Sequence, residues 1–275
     1  MSEASTSAAE AHTGGERSVE SPGRVTLRVT DGVAVVELSN PGKRNAFTWD
    51  MYDALERACA RVDADTSVRV LVIRGAGGAF AAGTDIAQFT DFATAADGLA
   101  YERRVAGVLE ALLAVRVPAV AVVQGPAVGA GLAVAACCDL VIATSESVFG
   151  VPVARTLGNC LPAAVVARLQ QRLGAARTMS MLLTSTLLPA PEAAVAGFVT
   201  SVVDPADLEA EVVSITNRIS RGAPLTLASL KEIDRRLAAG DTDADDLLLR
   251  CYGSEDFREG VHAFLEHRRP VWRGV

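Results

Sequence analysis

The stretch Val117–Ala143 constrains this chain more than any other, because it is apolar throughout except for Gln124 and Asp139. Such a run suggests a membrane helix, but Gln124-Gly125-Pro126 interrupts it and Asp139 interrupts it again, so it cannot cross a bilayer as one helix. Its pieces have the lengths of elements in a folded core. They read as a strand over Ala119–Val123, a turn, a helix over Gly129–Cys138 and a strand over Leu140–Ala143.

The flanking segments continue that alternation. Val25–Val29 and Val33–Leu38 bracket Asp31-Gly32, a turn pair suited to a hairpin. Thr48 can cap a helix that places Met51, Leu55, Ala58, Cys59 and Val62 on one face. Val68–Ile73 is rich in β-branched residues, is followed by Gly75, Gly77 and Gly78, and predicts a buried strand. Thr94 and Asp97 have capping-box spacing at the start of a helix that runs to about Leu113. Strands alternating with helices predict an α/β fold, a parallel sheet with helices packed on it. Beyond Leu161 the pattern is helical over 161–171, 175–184, 190–196, 205–220, 225–238, 242–251 and 254–267, with one strand at Phe198–Val203. The expected organisation is a disordered tail over 1–23, an α/β core over 24–200 and a helical region over 201–275.

Composition narrows the function. The 275 residues carry 26 Lys+Arg and 33 Asp+Glu, a net charge of −7, which argues against nucleic acid as a partner. Half of the residues are hydrophobic, enough to build a sizeable core. Cys59, Cys137, Cys138, Cys160 and Cys251 show no ligand spacing, so they predict no metal site and fit a reducing cytoplasm. Residues 1–23 lack the apolar stretch of a secretory signal.

Two segments point to chemistry. In Ala79-Phe80-Ala81-Ala82-Gly83-Thr84-Asp85-Ile86 the small residues at 81–83 let a ligand approach the backbone, and Asp85 can cap a helix beginning after it. Gln124-Gly125-Pro126-Ala127-Val128-Gly129-Ala130-Gly131 comes after a strand and opens a helix, whose free N–H groups and positive dipole end suit a developing negative charge. It lacks the Gly-Lys-Ser/Thr ending of a phosphate loop and the glycine spacing of a dinucleotide site.

Together with other motifs, these segments make the chain resemble the enoyl-CoA hydratase/isomerase family, or crotonase superfamily, over roughly residues 25–274. The further motifs are Asn40-Pro41-Gly42-Lys43-Arg44-Asn45-Ala46-Phe47, Cys138-Asp139-Leu140, Phe149-Gly150-Val151-Pro152, the Leu183…Ala193 stretch and Ser254…Pro270. The resemblance implies a spiral of ββα units with a helical tail that trimerises, giving a homotrimer or a dimer of trimers. It implies lyase or isomerase chemistry of fatty-acid metabolism on an acyl-CoA thioester, with coenzyme A as part of the substrate and no separate cofactor. By the same resemblance, the backbone N–H groups of Thr84 and Ala130 form an oxyanion hole. Lys43, Arg44, Ala46, Phe47, Ala82, Gly83, Asp85 and Ile86 line the CoA end, while Val128, Gly129, Ala133, Pro152, Val153 and Arg155 border the acyl group. A solvated charge pair remains an equal reading for Lys43 and Arg44.

The chain departs from the family where the acid–base groups belong. The two glutamate positions of the hydratases fall on Ala133 and Val153, neither of which can move a proton. Substitutes to consider are Asp85, Asp91, Glu102, Glu110, Arg155, Asn159 and Cys160. Asp85 reads first as a helix cap, and the acids at 91, 102 and 110 read as facing solvent or a subunit contact. Cys160 has no histidine near it in sequence and reads as packing. Two functions stay open: an enzyme with an unusual proton carrier, or a non-catalytic acyl-CoA binding protein.

Overall fold

The computed structural model describes residues 23–275, so the tail expected over 1–23 lies, apart from Gly23, outside the described residues. Strands β1 (Arg24–Thr30) and β2 (Val33–Ser39) form the expected antiparallel hairpin, with Thr30 opposite Val33. Its turn residues Asp31 and Gly32 both have positive φ, 50° and 78°, the pair of angles that matches strand twist in a two-residue turn. Helix α1 (Trp49–Ala64) starts at Thr48, whose hydroxyl accepts from Met51 N at 3.3 Å, and buries the predicted apolar face.

Next come β3 (Val70–Gly75), α2 (Ala95–Ala114), β4 (Ala119–Val123), β5 (Pro126–Val128), α3 (Ala130–Cys137), β6 (Leu140–Thr144) and β7 (Val148–Gly150). After these, α4 (Val153–Thr156), α5 (Ala163–Leu173), α6 (Ala175–Thr184), β8 (Leu188–Pro189), α7 (Ala190–Val195) and β9 (Ser201–Val203) lead into α8 (Leu208–Ser220), α9 (Pro224–Ala238), α10 (Asp245–Tyr252) and α11 (Glu255–Leu265). The main sheet has the order β1-β2-β3-β4-β6-β9 and is parallel except for the first pair. It takes its last strand from just beyond residue 200.

The unbroken apolar runs of β3 and β4 are explained by cover on both faces. Leu71, Ile73, Ala119, Ala121 and Val123 join the large core that also holds α1 and α3, while Val70, Val72, Val120 and Val122 pack with Leu208, Val212 and Ile215 of α8. No helix among the described residues is long and apolar enough to cross a membrane. Asp139 ties α9 to this core, because its carboxylate accepts from Ala119 N at 2.6 Å and meets Lys231 Nζ at 2.9 Å.

Some boundaries differ from the expectation for local reasons. Val68 N donates back to Asp65 O and closes the end of α1, so strand pairing starts at Val70. Phe198 N and Val199 N both donate to Ala193 O behind α7, which delays β9 to Ser201. The helix expected from 161 begins at Ala163, after Pro162. A second sheet, β5-β7-β8, forms where the sequence predicted only connections. Its strands have two or three residues each, too few to display a period.

Candidate active site

Strand β5 of the second sheet brings the segments around Thr84 and Ala130 together. Phe80 N and Ala81 N donate to Pro126 O at 3.2 and 3.1 Å, and Val128 N donates to Ala81 O at 2.9 Å. On the other flank, Ala82 N donates to Arg44 O at 3.0 Å, Phe47 N to Gly83 O at 2.8 Å and Asp85 N to Phe47 O at 2.9 Å. Segment 80–85 is thus held between residues 44–47 and β5.

These bonds leave particular amides free. Among the described residues, neither Thr84 N nor Ala130 N donates to a protein acceptor. Ala130 is the first residue of α3, where a helix has no internal partner to offer. Gly129 precedes it at φ 57°, and a Cβ placed there would stand 3.4 Å from the Gly83 Cα, so the segments abut. A Cβ on Gly131 would overlap the Ala81 carbonyl oxygen, so only glycine permits this approach. Thr84 and Ala130 line one cavity of about 230 Å³.

The Thr84 side chain is also engaged. Its Oγ1 lies 2.7 Å from the Tyr52 hydroxyl and 2.8 Å from the Tyr101 hydroxyl. Burial pushes both phenols above their ordinary pKa, so they stay protonated at neutral pH. Tyr101 stands in an aromatic group: it meets Phe89 edge-on at 5.0 Å, and Trp49 lies parallel to Phe92 at 6.4 Å. Sequence reasoning treated Thr84 as a backbone donor only and missed this hydroxyl chain. Tyr52 and Tyr101 sit on different helices, and no local spacing joins them to position 84.

The remaining predicted residues separate into groups. Ala82, Gly83, Ile86, Val128, Gly129, Ala133, Pro152 and Val153 line the cavity with Thr84 and Ala130. Ala46 and Phe47 are buried and absent from the lining; the Phe47 ring stacks on Tyr52 at 4.8 Å, so its contribution is to hold the segment in place. Lys43 and Arg44 are exposed beside the site, with Lys43 Nζ 3.9 Å from Asp85 Oδ1. Asp85 caps a short 3-10 turn over Ile86–Asp91 by accepting from Ala87 N at 3.2 Å.

Arg155 requires a correction. It is exposed on α4 and does not border the cavity, whereas its neighbours Thr156, Leu157 and Asn159 do. Cys160 is exposed and also outside the lining. Cys137 is buried, its thiol pushed up to about 12, which makes it a packing residue. Asp91 and Glu110 are exposed, as expected. Glu102 is different: it is half-buried and lines the cavity, and burial lifts its pKa. Its spacing carried a signal, because Glu102 and Tyr101 precede Val105 by three and four residues on α2, and all three line the cavity. Among the described residues, no group of three His, Cys, Asp or Glu side chains is placed to hold a metal ion.

Comparison with known proteins matches residues 28–275 to the family described as enoyl-CoA hydratase/isomerase. The (E)-benzylidenesuccinyl-CoA hydratase of Thauera aromatica is 34% identical, covering 91% of this chain and 99% of that protein. The mitochondrial enoyl-CoA hydratase domain-containing protein 3 of Mus musculus is 30% identical over 92% of this chain and 86% of its own length. A crystal structure of an enoyl-CoA hydratase/carnithine racemase from Magnetospirillum magneticum superposes with a TM-score of 0.87 at 31% identity, covering 93% of this chain and 97% of that one.

Proposed function

Because the chain belongs to the enoyl-CoA hydratase/isomerase family, we propose that its cavity binds an acyl-CoA thioester with the carbonyl oxygen between the amides of Thr84 and Ala130. The observation that carries this reading is the pair of unpartnered amides on abutting segments of one cavity wall. Removing a proton beside a thioester moves charge onto that oxygen, and two fixed donors in a largely apolar site oppose the rise in energy.

The coenzyme end leaves toward the exposed Lys43 and Arg44, whose charges suit its phosphates. Val128, Pro152 and Val153 border the acyl chain. Coenzyme A arrives as part of the substrate, and no separate cofactor is invoked. The apolar side chains exposed on the carboxyl-terminal helices, including Leu230, Leu249, Phe264 and Leu265, suit contact with further copies of this chain as a trimer or a dimer of trimers. The compartment proposed is the cytoplasm.

The reaction is enolate chemistry rather than ordinary hydration, because Ala133 and Val153 line the cavity where the family's two glutamates fall by resemblance. Those same residues favour a second reading, a binding protein that holds acyl-CoA without turning it over. Calorimetric titration with short and long acyl-CoAs tests what the readings share, and saturable binding is expected. Loss of the conjugated thioester absorbance of a 2-enoyl-CoA should be slow or absent with either reading. Failure to bind any chain length would remove both.

A further inference from the structure

We propose that the carboxylate of Glu102 is the proton carrier of this site, supplying from α2 what Ala133 and Val153 do not. The inference rests on the acyl-CoA reading given under the proposed function. Glu102 is the one carboxylate among the described residues that line the cavity. It forms no hydrogen bond or ion pair with another described residue, so both oxygens are free to meet a ligand.

Its position relative to the oxyanion donors is fixed by its neighbour. Tyr101 OH lies 2.8 Å from Thr84 Oγ1, which pins this turn of α2 to the cavity-lining residue whose amide is unpartnered. Glu102 is the next residue, and Val105 continues the same face along the cavity wall. A carboxylate in this apolar setting has its basicity raised, and burial does lift the pKa of Glu102.

The step balances without another reactant. The Glu102 carboxylate takes a proton from C2 of the thioester. The C–H pair becomes the C1–C2 π bond, and the carbonyl π pair moves to the oxygen held by Thr84 and Ala130. When a C3–C4 double bond is present, its π pair takes part in the same delocalised dienolate. The protonated Glu102 then returns the proton to C2, which is exchange, or to C4, which converts a 3-enoyl to a 2-enoyl thioester. One carboxylate suffices for a transfer from carbon to carbon. Adding water would need a second group to activate it, which matches the replaced hydratase positions.

The test monitors deuterium entering C2 of hexanoyl-CoA in D2O, and formation of conjugated thioester from 3-hexenoyl-CoA, with binding measured by calorimetry on the same preparations. The expected result is that wild-type protein performs both, and Glu102→Gln lowers both by at least about 100-fold while affinity is kept and the fold is not destabilised. Glu102→Asp should recover part of the rate, and Glu110→Gln, on an exposed part of the same helix, should leave it unchanged. A Glu102→Gln protein that reacts at the wild-type rate overturns the assignment. So does a wild-type protein that binds both thioesters and transforms neither, although the acyl-CoA reading then survives. Absence of binding overturns the assignment and the acyl-CoA reading together.

Discussion

The corner at Thr84 and Ala130 and the remaining cavity wall use different parts of the polypeptide. At the corner the proposed working groups are main-chain amides, and the residues that let the two backbones approach are above all Gly129 and Gly131. On the rest of the wall any acid–base group must be a side chain, and Ala133 and Val153, where the resemblance places the family's carboxylates, offer none. A main-chain donor persists through most substitutions at its own position, whereas one substitution deletes a side-chain acid. Chemistry of the second kind can therefore be lost, or be taken over by another element such as α2, while the corner stays intact.

Ala130→Pro should break the corner most cleanly. Proline lacks the N–H but is well tolerated at the first position of a helix, which is where Ala130 sits. The variant should fold and lose about 10²–10³ in the rate of C2 exchange, the usual cost of removing one oxyanion donor. Wild-type exchange in that protein would show that the amide is not used.

Gly131→Ala tests the close approach itself. The added methyl overlaps the Ala81 oxygen, and relieving the clash should destabilise the protein by about 1–3 kcal/mol in denaturant unfolding. An unchanged midpoint would mean the segments are farther apart than described. Tyr101→Phe has a smaller expected effect. It removes one of two hydroxyl partners of Thr84, a loss of about 1 kcal/mol, read as a fall of roughly fivefold in turnover with Tyr52 still in place.

The smallest effect distinguishes the two sides of the cavity through pH. Burial raises the folded-state pKa of Glu102 above its ordinary value, so its charged form opposes folding once pH exceeds that value. Glu102→Gln should therefore melt slightly above wild type at neutral pH, and the gain should vanish below about pH 4, where the carboxyl is neutral in both states. A lower melting temperature at neutral pH would mean the carboxylate has a stabilising partner.

Much of this architecture is legible from the sequence. The hairpin at Asp31-Gly32, the cap at Thr48, the box at Thr94 and Asp97, and the broken run through β4, α3 and β6 all announce themselves over four or more residues. The strands β5, β7 and β8 are not legible, because two or three residues show no period and their pairing partners lie far along the chain. At the site, Thr84 and Ala130 are picked out by their motifs and the family resemblance those motifs carry. The hydroxyl chain from Tyr52 through Thr84 to Tyr101 needs three separate elements brought together, which only the fold supplies. Arg155 failed for the opposite reason: its place beside Val153 was right, but one turn of α4 sends adjacent residues to different surroundings.

The most direct test of the central claim is the carbonyl stretch of a bound acyl-CoA, labelled with carbon-13 at the thioester carbon and read by infrared difference spectroscopy. If the amides of Thr84 and Ala130 both grip that oxygen, the band of the bound thioester moves to lower frequency than in water, and Ala130→Pro reverses much of the shift. A band that stays at its aqueous frequency in wild-type protein saturated with ligand would contradict the account.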